Sequence, residues 1–420
     1  MFRLGFIHVF VASIISQLVA FSGSIIYVRM MGQHQFGLYA FAYTVISFFL
    51  LLNGFGAASG VLQFVSRSKN HEESLAYLKY AMHLGIVFNC VLSAGIFLYA
   101  LFIPLPLSGV KPVLCLMAFF PIGRLYIDVY QAYLRAVGQN HLLAKFSISV
   151  NLMLLVSNVI GIYCAGLTGF IIATYVSYIV MFCLSVFVYK LPNVFKIKPA
   201  LGNGQAHIIR QKINKKEFVG YSVYITVGNA FSQLLFILDI IILGYIVKDA
   251  AVVAKYKVAT VIPFAINFIP GIVSTLCYPY FAKNANNLHY VKELKQRLQK
   301  IMFGFSLSLS ILLIVLAKPI ITIIFGDTYQ DSVVPFQILS FGFWILATFR
   351  NINGNVLASL GKAKLSMWLN VGIVVINVLL TVILVNYFGI IGAAVGVVLI
   401  YTLSSVIASL VLRRILYIKE

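Results

Sequence analysis

Five charged residues lie inside apolar stretches, and they are the first candidates for chemistry. Arg124 and Asp128 fall in one such stretch, and Asp239, Lys318 and Arg350 fall in three others. A charge at the centre of a membrane span costs about 2.5–3.5 kcal/mol on insertion scales, so such residues usually face a cavity and act there. Arg124, Asp128, Gln131 and Arg135 are spaced 4, 3 and 4 apart, which places them on one stripe of a helix. Arg124 and Asp128 can pair at i,i+4. Two readings stay open: mutual neutralisation against neighbouring helices, or a polar cavity wall with Arg124 available to an anionic headgroup. Milder stripes of the same spacing are Ser13, Gln17, Ala20 and Ser24, and Ser222, Thr226, Asn229 and Gln233. Small and polar residues on one face also serve helix packing. Asp239 lies about 80° around its helix from Asn229. It is expected to pair, or to act with Asp128 as a proton or cation coupling site. Arg350 sits in the polar run Phe349-Arg350-Asn351-Ile352-Asn353-Gly354-Asn355 and is expected to line a cavity. Lys318 precedes Pro319 and is expected to snorkel to the outer interface.

The elements that must position these residues are membrane helices. Of 420 residues 61% are hydrophobic and 10% charged, against roughly 25% charged in soluble domains. The mean hydropathy is +1.00. About twelve stretches reach the roughly 20 apolar residues a span needs. They are expected at 5–28, 36–60, 80–103, 113–135, 143–165 and 168–189, then 218–246, 253–281, 301–325, 332–358, 365–386 and 389–412. The fold class is therefore all-α and polytopic. The N-terminal run is too long for a signal-peptide core and lacks a small-x-small cleavage site. Pro263, Pro270 and Pro279 can loosen the eighth span.

The net charge of +21 comes from 31 Lys and Arg against 10 Asp and Glu. These charges lie in short loops, which argues for topology rather than nucleic-acid binding. With the N-terminus cytoplasmic, 23 basic residues fall on the cytoplasmic side and 5 on the other. That split predicts both termini inside and an even number of spans. The longest polar stretch divides the chain into residues 1–195, a basic cytoplasmic linker at 196–217, and residues 218–420. The halves resemble each other. Lys145, Asn151 and Asn158 match Lys364, Asn370 and Asn377 at an offset of 219, Gly169 matches Gly392 at 223, and Tyr39 and Ala42 match Tyr256 and Ala259 at 217. Two six-helix bundles facing the same way imply a parallel repeat about an axis along the membrane normal.

Other chemistry is not supported. No P-loop, H-E-x-x-H, G-x-S-x-G or D-x-D occurs, so neither an enzyme nor a cofactor nor a metal is expected. Ser66 and Lys69 form an isolated S-x-x-K, and Gly202-Asn203-Gly204 is expected to be a turn. The five cysteines form no C-x-x-C pair, and His8 and His83 are expected to be structural.

Several local sequences resemble a known family. Tyr27-Val28-Arg29-Met30-Met31-Gly32-Gln33-His34-Gln35-Phe36-Gly37-Leu38-Tyr39-Ala40 resembles the "R-L-L-G-x-x-x-F-G-x-Y" loop of polysaccharide flippases. Leu52-Asn53-Gly54-Phe55-Gly56 resembles their "D-x-G" turn, with Asn53 in place of the usual Asp. Asp239 with Leu243-Gly244 resembles "D-x-x-x-L-G", and Phe325-Gly326-Asp327-Thr328-Tyr329 resembles "F-G-x-x-Y". The resemblance covers nearly the whole chain. It implies a Wzx-type O-antigen flippase of the multidrug/oligosaccharidyl-lipid/polysaccharide (MOP) superfamily, with two six-helix bundles around a central cavity. It further implies an undecaprenyl-pyrophosphate-linked oligosaccharide as substrate, a bacterial inner-membrane location, and polysaccharide assembly proteins such as a polymerase and a chain-length regulator as partners. The expected substrate-binding residues are Arg124, Asp128, Gln131, Arg350, Gln17, Asn229 and Gln233. The alternatives are a drug/cation antiporter on the same scaffold and a membrane-integral polymerase or glycosyltransferase. The antiporter would want an acidic cavity, and such enzymes usually carry a sizeable external loop.

Overall fold

The computed structural model describes residues 2–192 and 213–417. Most of the linker expected at 196–217, including the Gly202-Asn203-Gly204 turn, lies outside the described residues. Among the described residues all regular structure is helical. In chain order the helices are α1 (Phe2–Leu50), α2 (Ala57–Val65), α3 (His71–Phe102), α4 (Val110–Met117), α5 (Phe120–Ala136) and α6 (Asn140–Phe187). Then come α7 (Lys215–Leu234), α8 (Leu238–Val247), α9 (Ala250–Ile266), α10 (Phe268–Lys283), α11 (Leu288–Val315) and α12 (Ala317–Phe325). A 3-10 segment (Asp327–Ser332), α13 (Val333–Ile345), a π-helical turn (Leu346–Arg350), α14 (Asn351–Ser359) and α15 (Ala363–Tyr417) complete it.

Among the described residues, seven helical runs are long and apolar enough to cross a membrane, and two further pairs of helices bent by 42° and 52° raise that to nine. Three runs are 56, 48 and 53 residues long, far more than one bilayer requires. Each is folded at a glycine with positive φ: Gly32 (φ 70°), Gly166 (φ 56°) and Gly389 (φ 54°). These kinks fall at or beside the ends expected for the paired spans. The bent pairs break at 118–119 and 235–237, inside stretches that the hydropathy reads as continuous.

The internal repeat has a structural counterpart. Gly166 and Gly389 are 223 residues apart and have nearly the same backbone, with ψ of −136° and −128°. Three residues beyond each, Gly169 and Gly392 let the two arms of a hairpin touch. A Cβ on Gly169 would lie 1.9 Å from the Gly161 carbonyl oxygen, and one on Gly392 would lie 2.0 Å from that of Leu384. Gly161 and Leu384 are again 223 apart. Close backbone approach through small residues is how helices associate where lipid removes the hydrophobic drive.

The described residues form two compact units. One falls within Met1–Met31 and Val45–Ala230, the other within Gly32–Thr44 and Phe231–Glu420. The first unit packs Val61, Phe64, Leu78, Leu125, Val129 and Phe218 into one core. Tyr77 stacks on Phe218 at 6.0 Å. The second has a core of Phe281, Val291, Met302, Val356 and Leu412. Large apolar side chains such as Val87, Val91, Tyr163 and Leu379 point outward, as a lipid solvent permits. In most of the spans only 22–39% of the apolar window is buried, but in the run Asp327–Ser359 it is 61%. That run, which carries Arg350, is the most enclosed of the seven.

Candidate functional site

In the first unit the site is built on a broken helix. After α1 ends, Asn53–Gly56 forms a short 3-10 segment, and three successive residues take left-handed backbone: Gly54 (φ 57°), Phe55 (φ 52°) and Gly56 (φ 78°). Left-handed backbone costs a non-glycine residue such as Phe55 about 1–2 kcal/mol. A break in lipid also frees backbone groups that the protein must satisfy. Asn89 of α3, fully buried, does so: its Oδ1 accepts from the Gly54 N–H at 2.7 Å. Its Nδ2 donates to Asn53 Oδ1 and to the Pro121 carbonyl, each at 2.7 Å. Asn53 Nδ2 in turn donates to Asp128 Oδ2 at 3.0 Å.

Asp128 is the far end of this chain of bonds, and there it meets Arg124. The Arg124 Nε lies 3.0 Å from Asp128 Oδ1, so the i,i+4 pair expected from spacing forms. The side chains are 47% and 26% exposed, so this pair sits at a surface of its unit rather than in the core. Gln131, one turn on, and Gln17 on α1 are half-buried, whereas Asn229 on α7 is exposed.

In the second unit two acids or bases of interest part company. Asp239 is fully buried near the start of α8. Its Oδ2 accepts from the Tyr256 hydroxyl at 2.6 Å, and its Oδ1 from the Ile240 N–H at 2.9 Å. The pairing half of the expectation for Asp239 is therefore what the geometry shows, through a tyrosine on α9. Arg350 is different. It ends the π-helical turn that widens the run between α13 and α14, a distortion frequent at functional sites. Its guanidinium lies over the rings of Phe236 at 5.6 Å and Tyr401 at 5.9 Å. It makes no ion pair among the described residues. The Tyr401 hydroxyl is buried with no hydrogen-bond partner among them. One residue on, Asn351 Nδ2 donates to Asn267 Oδ1 at 3.0 Å, and Asn353 donates to Ser409 Oγ at 2.8 Å. Gln233 on α7 is exposed.

Two partners escaped sequence reasoning. Asn89 is 36 residues from Asn53, with no periodic signal linking them. Tyr256 was visible only as the repeat mate of Tyr39. Lys318 is exposed at the start of α12, in keeping with a snorkelling lysine. Among the described residues no cluster of His, Cys, Asp and Glu could hold a metal, and the five cysteines are unbridged.

A family model described as polysaccharide biosynthesis protein matches residues 3–285. An uncharacterized membrane protein of Methanocaldococcus jannaschii is 25% identical over 409 residues, covering 91% of this chain and 78% of that one. Among solved structures, the lipid II flippase MurJ in an inward closed conformation superposes with a TM-score of 0.74 at 15% identity, covering 97% of this chain and 87% of that one. An inward-facing multidrug resistance MATE transporter of the MOP superfamily superposes with a TM-score of 0.73 at 15% identity, over 96% and 94% of the two chains. The all-helical fold is thus the one these two structures share.

Proposed function

We propose that this chain, which belongs to the polysaccharide biosynthesis protein family, is a flippase that carries the anionic headgroup of a lipid-linked oligosaccharide across the bilayer. The observation that carries the reading is Arg350: a cation in the most enclosed of the seven continuous runs, between two aromatic rings, with no ion-paired acid among the described residues. A protein retains such a charge against its insertion cost when a ligand supplies the counter-charge. Guanidinium matches phosphate oxygens bidentately, and a pyrophosphate linkage is the anion that such a lipid carries. In the other unit Arg124, half-exposed and ion-paired, offers a phosphate a separate contact through competition with Asp128.

The finer reading is a Wzx-type flippase for undecaprenyl-pyrophosphate-linked O-antigen units in a bacterial inner membrane. Read as two spans each, the three kinked runs bring the nine spans to twelve, the even number that two cytoplasmic termini require. An inside-negative potential favours outward movement of an anion by about 2.3 kcal/mol per charge per 100 mV, so coupling to an ion is not required. The drug/cation antiporter reading needs an acid open to a cation. Asp128 and Asp239 are instead both engaged, with Arg124 and Tyr256. Deleting the gene tests the function: lipid-linked repeat units should accumulate unexported on the cytoplasmic face. Accumulation of single exported units would point to a polymerase instead.

A further inference from the structure

The bonds around the break in the first unit form one continuous chain from a charged, accessible side chain to a strained backbone. Arg124 holds Asp128, Asp128 accepts from Asn53, Asn53 accepts from Asn89, and Asn89 accepts from the Gly54 N–H. The backbone at the end of that chain is three successive left-handed residues, one of them Phe55. Gly56 is packed so closely that a Cβ on it would lie 2.4 Å from the Ser222 carbonyl oxygen. Asn89 also anchors the turn to Pro121 at the start of α5, the helix that carries Arg124.

We propose that Asn53 and Asn89 are positioning residues through which an anionic phosphate at Arg124 loosens the break between α1 and α2. The proposal rests on the headgroup reading above. A phosphate on the Arg124 guanidinium places a second anion beside Asp128. The two repel, and the Asp128 carboxylate turns from Arg124 and from Asn53 Nδ2. Asn53 then loses the bond that orients its Oδ1 toward Asn89. The Gly54 N–H and the left-handed turn lose their support in sequence. No covalent step is involved. The break becomes a joint that yields when the headgroup arrives and is held when it is absent. The phosphate can come from a polyprenyl pyrophosphate or from a free pyrophosphate, and the recognising chemistry is the same.

The test uses the full chain in zwitterionic phosphatidylethanolamine nanodiscs. Amide hydrogen exchange is followed at 53–57, alone, with inorganic pyrophosphate, and with a polyprenyl pyrophosphate placed in the disc. Binding of both probes is titrated in parallel. The bound anion should speed exchange at 53–57 by about tenfold, the size expected when one buried hydrogen bond is released. Response to both probes assigns recognition to phosphate alone, and response only to the polyprenyl form adds a need for the tail. Asn53→Ala should exchange fast without any anion and show no further response. Linkage is reciprocal, so this variant should bind the anion tighter by the same factor, which a merely structural role for Asn53 would not produce. If Asn53→Ala fails to fold, Asp128→Asn serves. It keeps an acceptor for Asn53, and it should exchange slowly, bind the anion tighter and lose the exchange response. Arg124-dependent binding with unchanged exchange at 53–57 would overturn the coupling and leave the headgroup reading intact. No binding of either probe would overturn both.

Discussion

Replacing Arg350 with Met separates a residue kept for function from one kept for stability. A charge near the centre of a span costs about 2.5–3.5 kcal/mol. The two cation–π contacts, to Phe236 at 5.6 Å and Tyr401 at 5.9 Å, return about 0.5–1 kcal/mol each. No acid adds to that return among the described residues. The difference leaves Arg350 as a net burden of about 0.5–2.5 kcal/mol. Methionine is flexible enough to fill the space between the rings and makes favourable sulfur–aromatic contacts. Arg350→Met should therefore raise the thermal unfolding midpoint in lipid nanodiscs while abolishing surface polysaccharide in cells. Both readouts are needed, with membrane abundance checked by immunoblot. A variant that exports normally and unfolds at a lower temperature would show instead that Arg350 is a packing element.

Other substitutions test the rest of the structure. Gly169→Ala and Gly392→Ala each push a Cβ to within 2.0 Å of a carbonyl oxygen and should each cost about 1–3 kcal/mol. Similar losses in thermal stability would support equivalent hairpins, and a loss at only one would contradict the repeat. Tyr256→Phe removes one of two donors to a buried carboxylate and should cost about 1–3 kcal/mol. An unchanged unfolding midpoint in that variant would show that Asp239 does not depend on the bond.

What the sequence made legible was mostly what lipid dictates. Apolar runs located the long helices, and the hairpin glycines at 166 and 389 fell at or beside expected span ends. The Arg124–Asp128 pair followed from i,i+4 spacing, because both partners share one helix. The interrupted helices were not legible. A π-helical turn at Leu346–Arg350 and the bends at 118–119 and 235–237 leave hydropathy unchanged. The partners of Asn53 and Asp239 were illegible for another reason: each bond joins different helices, and one sequence carries no signal of such contacts. Asn53, where the family turn usually has Asp, shows why the amide matters. An amide can accept from Asn89 and donate to Asp128 at once, and a carboxylate cannot donate.

Movement of a lipid-linked headgroup between leaflets can be followed directly after reconstitution. Purified protein in liposomes would be given a fluorescent undecaprenyl-pyrophosphate-linked oligosaccharide, and a membrane-impermeant quencher would report its leaflet over time. A headgroup carrier should give rapid exchange between leaflets with the wild-type chain and exchange at the protein-free rate with Arg350→Met. Protein-free rates for the wild-type chain, or equal rates for the wild type and Arg350→Met, would contradict that role.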